Sequence, residues 1–205
     1  MLVEKSQYHH GDLKRVLLET AEQLLEAHGV AGLSLRNVAR QSGVSHTAPY
    51  RHFRDKIGLL SALAEIGFKR LAKAMTEVSL EYPEDPSLQL NKAGTAYVKL
   101  AVDHPEMTNL MFGGILKDCK GLELQRASDS AFEGLVGIIE NGQKTGIFKP
   151  RATLDMVMAA WSTVHGLAML ISAGKLDEAT NIKKSPEILA TTVGEILISG
   201  MLNEK

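Results

Sequence analysis

The chain has 205 residues, 44% of them apolar, and a formal net charge of −1. That is ample for one or two buried cores and gives no global basic field of the kind that marks a nucleic-acid binder. Cys119 is the single cysteine, which excludes an intramolecular disulfide and fits a reducing compartment.

Six prolines and eighteen glycines punctuate apolar segments of helical period, and alternating strand-like runs are scarce, so the expected fold class is all-α. The opening residues, MLVEKSQYHHGD, carry no apolar signal-peptide core. The apolar stretches are interrupted short of the roughly 20 residues that span a bilayer, so a cytoplasmic protein is expected. The first helix is expected over about Asp12–His28. Asp12 is its cap, Leu13, Val16, Leu17, Ala21, Leu24 and Leu25 mark one face, and Gly29 ends it. A short helix follows from a Ser34 cap to about Ser42, Gly43 turns the chain, and a third short helix runs from a Ser45 cap to about Phe53. A longer helix begins near Asp55 and continues through Leu71 and Met75, and Pro83 and Pro86 close that region. Helices are then expected at about Ser87–Asp103, Pro105–Phe112, Gly121–Thr145, Ala152–Ala173 and Pro186–Asn203. Gly113–Lys120, Gly146–Arg151 and Gly174–Ser185 connect them. This order divides the chain into a helix-turn-helix domain over 1–56, with an N-terminal arm over 1–11, and a helical body over 57–205.

Residues 33–53, LSLRNVARQSGVSHTAPYRHF, read as helix, tight turn, helix. Leu35, Val38 and Ala39 form the inner face of the first helix, and Gly43 supplies the positive φ of the turn. Ser45 caps a helix short enough to lie in a major groove. Its outward face offers His46, Thr47, Ala48, Tyr50, Arg51 and His52, which can donate to phosphates, reach base edges or touch a thymine methyl. Charge is concentrated here too. Residues 34–56 carry Arg36, Arg40, Arg51, Arg54 and Lys56 against Asp55 alone, a local balance of +4. Residues 57–205 are acidic at −3. A basic patch with an acidic remainder suggests a nucleic-acid module on a regulatory body, and the groove-sized helix makes double-stranded DNA the expected partner. A helical hairpin with a solvated face is the plainer alternative.

Residues about 8–70 resemble the N-terminal domain of the TetR/AcrR family of repressors. The likeness lies in Tyr8–Leu18 (YHHGDLKRVLL), the entry from Gly29 to Ser34, Leu35–Ser45 (LRNVARQSGVS) and Tyr50–Leu60 (YRHFRDKIGLL). It implies that Ser34 and Arg36 meet DNA backbone or base edges, and that Ser45, His46, Thr47 and Ala48 face the groove. It implies that Tyr50 and Lys56 clamp phosphates with His52 nearby, that Arg51 reaches base or phosphate, and that Phe53 is core. Pro49 departs from the pattern, since many members carry Leu or Ile there. With Ser45 as cap, Pro49 is the fourth helical residue and its missing N–H removes one hydrogen bond. The helix is expected to survive with an altered first turn.

The body carries no Gly-rich phosphate loop, no Gly-x-Ser-x-Gly elbow and no Cys/His set at metal spacing. No catalysis, cofactor or metal is expected. Trp161–Gly166, with His104-Pro105-Glu106 and Met111-Phe112, resembles the Trp–His–Gly signature of one subgroup of the same family. Trp161 and His165 are four apart and share a helix face. In one reading they line an effector pocket with Met107, Leu110, Met111, Phe112 and Phe132, suited to an apolar or aromatic small molecule. In the other they are core or interface packing. Leu154, Val157 and Met158, with Val193, Ile196, Leu197 and Met201 of the last helix, are candidates for pairing with a second subunit. Packing within one subunit is the alternative. The whole reads as a ligand-responsive homodimeric repressor on a palindromic operator. An activator of the same fold and an all-α small-molecule enzyme are the competing readings.

Overall fold

The computed structural model describes residues 10–119, 121–176 and 184–203. Residues 1–9 of the expected arm and 177–183 of the last connector lie outside them. The elements are α1 (His10–Gly32), α2 (Leu35–Gln41), a 3-10 turn (Pro49–Arg51), α3 (Lys56–Glu81), α4 (Pro86–Asp103), α5 (Pro105–Phe112), α6 (Leu122–Lys144), α7 (Thr153–Ser172) and α8 (Pro186–Met201). Among the described residues the only extended pairing is one antiparallel bridge between Phe148 and Leu202. The protein is all-α, as expected.

The chain forms two compact units, Met1–Ile66 with Glu106–Gly121, and Gly67–Pro105 with Leu122–Lys205. The first takes in more than the 1–56 stretch. Glu26 of α1 explains part of this: its two carboxylate oxygens accept the backbone N–H groups of Glu106 (3.2 Å) and Met107 (3.0 Å), the open donors at the start of α5. Met107 and Leu110 are 1% and 0% exposed, and the Ser61 hydroxyl lies 2.9 Å from the Cys119 sulfur. Helix α1 runs past the expected stop at His28, but Gly29 breaks it with φ 63° before a last turn to Gly32.

In the second unit α4 packs against α6, α7 and α8. Gly194 of α8 permits the close approach: a Cβ there would stand 2.8 Å from Nδ2 of Asn91, which donates to the Thr191 carbonyl at 3.0 Å. Helix α6 closes in a left-handed cap at Gly146, with Ile147 N–H bonded to Gly142 (2.9 Å) and Gly146 N–H to Gln143 (3.1 Å). This reversal folds the fully buried Phe148 onto Gly142, where any Cβ would overlap the Cδ2–Cε2 edge of the ring. The end of α8 is stitched to the same loop by Lys149 N–H to Met201 (2.8 Å) and Asn203 N–H to Ile147 (2.9 Å). By length and composition α7 reaches the mean hydropathy of a membrane span (1.4), more than its interrupted apolar run suggested, with 28% of that window buried.

Candidate nucleic-acid interface

The first half of the motif folds as its residues dictate. Ser34 is extended (φ −150°, ψ 151°) and its hydroxyl accepts the Asn37 N–H at 3.1 Å, capping α2. The Asn37 side chain donates to the Gly32 carbonyl at 3.1 Å, fixing how α1 enters α2. Leu35, Val38 and Ala39 are buried. The far end of α2 closes with Gly43 at φ 68°, Val44 N–H on the Ala39 carbonyl (3.0 Å) and Gly43 N–H on Arg40 (3.3 Å). This is the left-handed cap that only glycine adopts without cost. The Ser42 hydroxyl donates to the hydroxyl of buried Thr20 at 3.0 Å, pinning the turn to α1.

The second half differs from the expected helix over Ser45–Phe53. Its regular part is a single 3-10 turn, Pro49–Arg51, preceded by turn geometry. Pro49 is the reason, because it has no N–H to complete the first α-helical bond and its ring crowds the carbonyl four residues back. Ser45, His46, Thr47, Tyr50 and Arg51 are exposed, Tyr50 by 53%. The Ser45 and Thr47 hydroxyls lie 3.2 Å apart. Ala48, expected on the outward face, is only 9% exposed and packs inward with Pro49 and Phe53. His52 is half-buried, its ring tilted against Phe53 at 6.3 Å.

The charges of this surface are uncompensated. Arg36, Arg40, Arg51 and Arg54 are exposed, and none has a carboxylate partner among the described residues. Asp55, the one acid between 34 and 56, is committed to capping α3 through Gly58 N–H at 2.9 Å. Lys56 is also committed, donating to the Val30 carbonyl at 2.6 Å just past the Gly29 break. Reading the sequence for phosphate contacts missed that duty, although a glycine-broken helix end leaves carbonyls in want of a donor.

The proposed pocket residues divide between the units. Met107, Leu110, Met111 and Phe112 belong to the first, Phe132, Trp161 and His165 to the second. Met107 and Leu110 are interior. In the second unit Phe132 and Trp161 meet edge to face at 6.3 Å. Tyr97 of α4, which sequence reading did not single out, lies 2.7 Å by its hydroxyl from Nδ1 of His165 and also hydrogen-bonds Trp161. Burial raises the Tyr97 pKa to about 12, against a lowering effect of the Trp161 bond, and burial depresses that of His165. One arrangement satisfies all three: the indole N–H donates to the phenol oxygen, and the phenol O–H donates to a neutral imidazole. No signal in the local sequence links Tyr97 to residues 64 and 68 positions later. Of the residues proposed for subunit pairing, Leu154 (59%), Met158 (49%) and Ile196 (68%) are exposed, and Val193 and Leu197 are half-buried. Val157 (0%) and Met201 (7%) are instead core, buried within their own unit.

Residues 17–63 match the family model described as bacterial regulatory proteins, tetR family, and residues 90–193 match that of the Tetracyclin repressor-like C-terminal domain. A protein of unknown function from Rhodococcus sp. RHA1 is 35% identical with a TM-score of 0.85, covering 97% of this chain and 100% of that one. The HTH-type transcriptional regulator AcrR of Shigella flexneri is 28% identical over 85 residues, 42% of this chain and 40% of that protein. The class C tetracycline repressor protein of Escherichia coli is 42% identical over 52 residues, 25% of this chain and 24% of that protein. The chain thus spans less than half the length of either curated relative.

Proposed function

Because the chain belongs to the tetR family of bacterial regulatory proteins, we propose that it is a homodimeric transcriptional repressor that grips a palindromic operator and lets go when a small molecule binds its body. The observation that carries the reading is the set of four exposed arginines without a carboxylate partner, together with exposed His46, Thr47 and Tyr50, on a segment, residues 34–56, whose only acid, Asp55, is committed to a helix cap. Such a surface favours phosphate and base contact and releases counterions on binding. Ser34 and Ser45 sit at its edges and His52 beside it; Lys56 contributes its remaining ammonium protons. DNA contact is assigned to 1–56, ligand and subunit contact to 57–205, in a protein that is a regulator and not an enzyme.

The subunit partner is a second copy. Leu154, Met158, Leu170, Ile188 and Ile196 leave a broad apolar surface on α7 and α8 uncovered, and α7 and α8 pack together. That surface, not a bilayer, is the reading given to the apolar length of α7. We assign the body to the Trp–His–Gly subgroup on Trp161, His165 and Gly166, and the effector to an apolar or aromatic molecule met by Phe132 and Trp161. Its binding shifts the population of head spacings, and α3, continuous from Lys56 to Glu81, is the covalent link. Selection from a random duplex pool tests the central claim. The expected product is a palindrome whose half-sites lie about one helical turn, roughly 34 Å, apart. Enrichment of no sequence sinks it.

A further inference from the structure

We propose that Pro49 determines which bases the reading segment addresses, by holding Ser45–Phe53 as short tight turns where an α-helix would otherwise form; this rests on the DNA-binding reading above. The hydrogen bonds carry it. In an α-helix capped at Ser45, the N–H of residue 49 would bond the Ser45 carbonyl, and proline has none. Here the Ser45 carbonyl accepts from Ala48 (3.0 Å), that of Ala48 from Arg51 (3.2 Å) and that of Pro49 from His52 (3.0 Å). All three have the spacing of a 3-10 helix. Only Phe53 N–H to the Pro49 carbonyl, at 2.9 Å, has α spacing. Ala48, Pro49 and Phe53 are buried together, which anchors the ring in the interior. The exposed side chains are left as two pairs, His46–Thr47 before the proline and Tyr50–Arg51 after it.

The geometric consequence is large on the scale of a base pair. A 3-10 segment rises about 2.0 Å per residue with three residues per turn, against about 1.5 Å and 3.6 in an α-helix. Over three residues the second pair is carried about 1.5 Å farther along and turned about 60° farther round. Base pairs are roughly 3.4 Å apart. The offset is therefore close to half a step, and a bidentate contact to one base edge tolerates far less than that. Phosphate contacts, which need charge more than register, are not affected.

The test uses the full chain and two variants, Pro49→Ala, with the best helix former, and Pro49→Leu, which refills the buried volume should alanine leave a void. Each is put through random-pool duplex selection, and the protection of the 50–53 amides from hydrogen exchange is measured. The expected result is greater amide protection in the variants and an enriched half-site that differs from the wild-type one at one or more positions. Each protein should prefer its own sequence by tenfold or more, with unchanged affinity and salt slope on random duplex. Unchanged amide protection, or the same enriched half-site in all three proteins, overturns the role of Pro49 while leaving the DNA reading intact. A wild-type protein that enriches nothing overturns the DNA reading, and Pro49's role with it.

Discussion

Burial makes His165 a poor proton acceptor, and Tyr97 reinforces this by occupying Nδ1. The unfolded chain binds a proton at the ordinary value of 6.5, whereas the folded chain binds one only at lower pH. Between those values the unfolded state holds more protons, so stability is present above 6.5 and drains away as pH falls towards the depressed folded value. Urea midpoints measured from neutral pH downward should therefore fall more steeply for the wild type than for His165→Gln, which has nothing to titrate there. Equal slopes would remove His165 from the acid response. Tyr97, un-ionised up to about 12, adds no titration of its own in that range. Residues whose roles are local were legible in the sequence: the Ser34 cap and the Gly43 turn follow from side-chain chemistry within four positions. Tyr97 and Lys56 were not, because their partners, His165 and the Val30 carbonyl, lie 68 and 26 residues away.

Among the elements, the close of α6 shows how one position fixes a segment. Gly142 faces the Phe148 ring with no room for a methyl group, and both are held by the left-handed cap at Gly146. Gly142→Ala should destabilise the second unit by about 1–3 kcal/mol, the usual cost of overpacking, read as a lowered denaturation midpoint. A loss below about 0.5 kcal/mol, the scatter of surface substitutions, would mean that Phe148 has another place to go. Helical period and punctuation placed eight helices within a few residues, since each carries an apolar stripe and an end signal. The error was at 45–53, where apolar spacing suits an α-helix but one absent N–H prevents it. Hydrophobic periodicity reports which side chains go inside and says nothing about which backbone bonds can be made. Helix α3 ends at Glu81, just before the Pro83 and Pro86 that close the region, and there the Gln89 side chain donates to the Ser79 and Tyr82 carbonyls.

For the molecule as a whole, a net charge of −1 conceals a segment, residues 34–56, at +4. Apolar content likewise conceals a body that leaves Ile196 68% exposed and Leu154 59% exposed. Placed at the centre of a subunit contact, a carboxylate is desolvated without a partner. Ile196→Glu should raise the dimer dissociation constant by more than about tenfold, roughly 1.4 kcal/mol, in sedimentation equilibrium, while the monomer melts normally. An unchanged mass distribution would put the interface elsewhere. The regional charge split was visible from the sequence. The division into units was not, because α5 joins the first by a contact between Glu26 and residues 80 positions on.

The cluster around Trp161 has an optical consequence. It is the only indole in the chain, it hydrogen-bonds Tyr97 and it lies edge-on to Phe132. Tryptophan emission from the unlabelled protein therefore reports from one address in each body and from nowhere in the head. A small molecule that reaches the cluster changes that emission directly. Under excitation selective for indole, DNA held by residues 34–56, which contain no tryptophan, changes it solely to the extent that the body feels the head, so one cuvette measures the coupling itself.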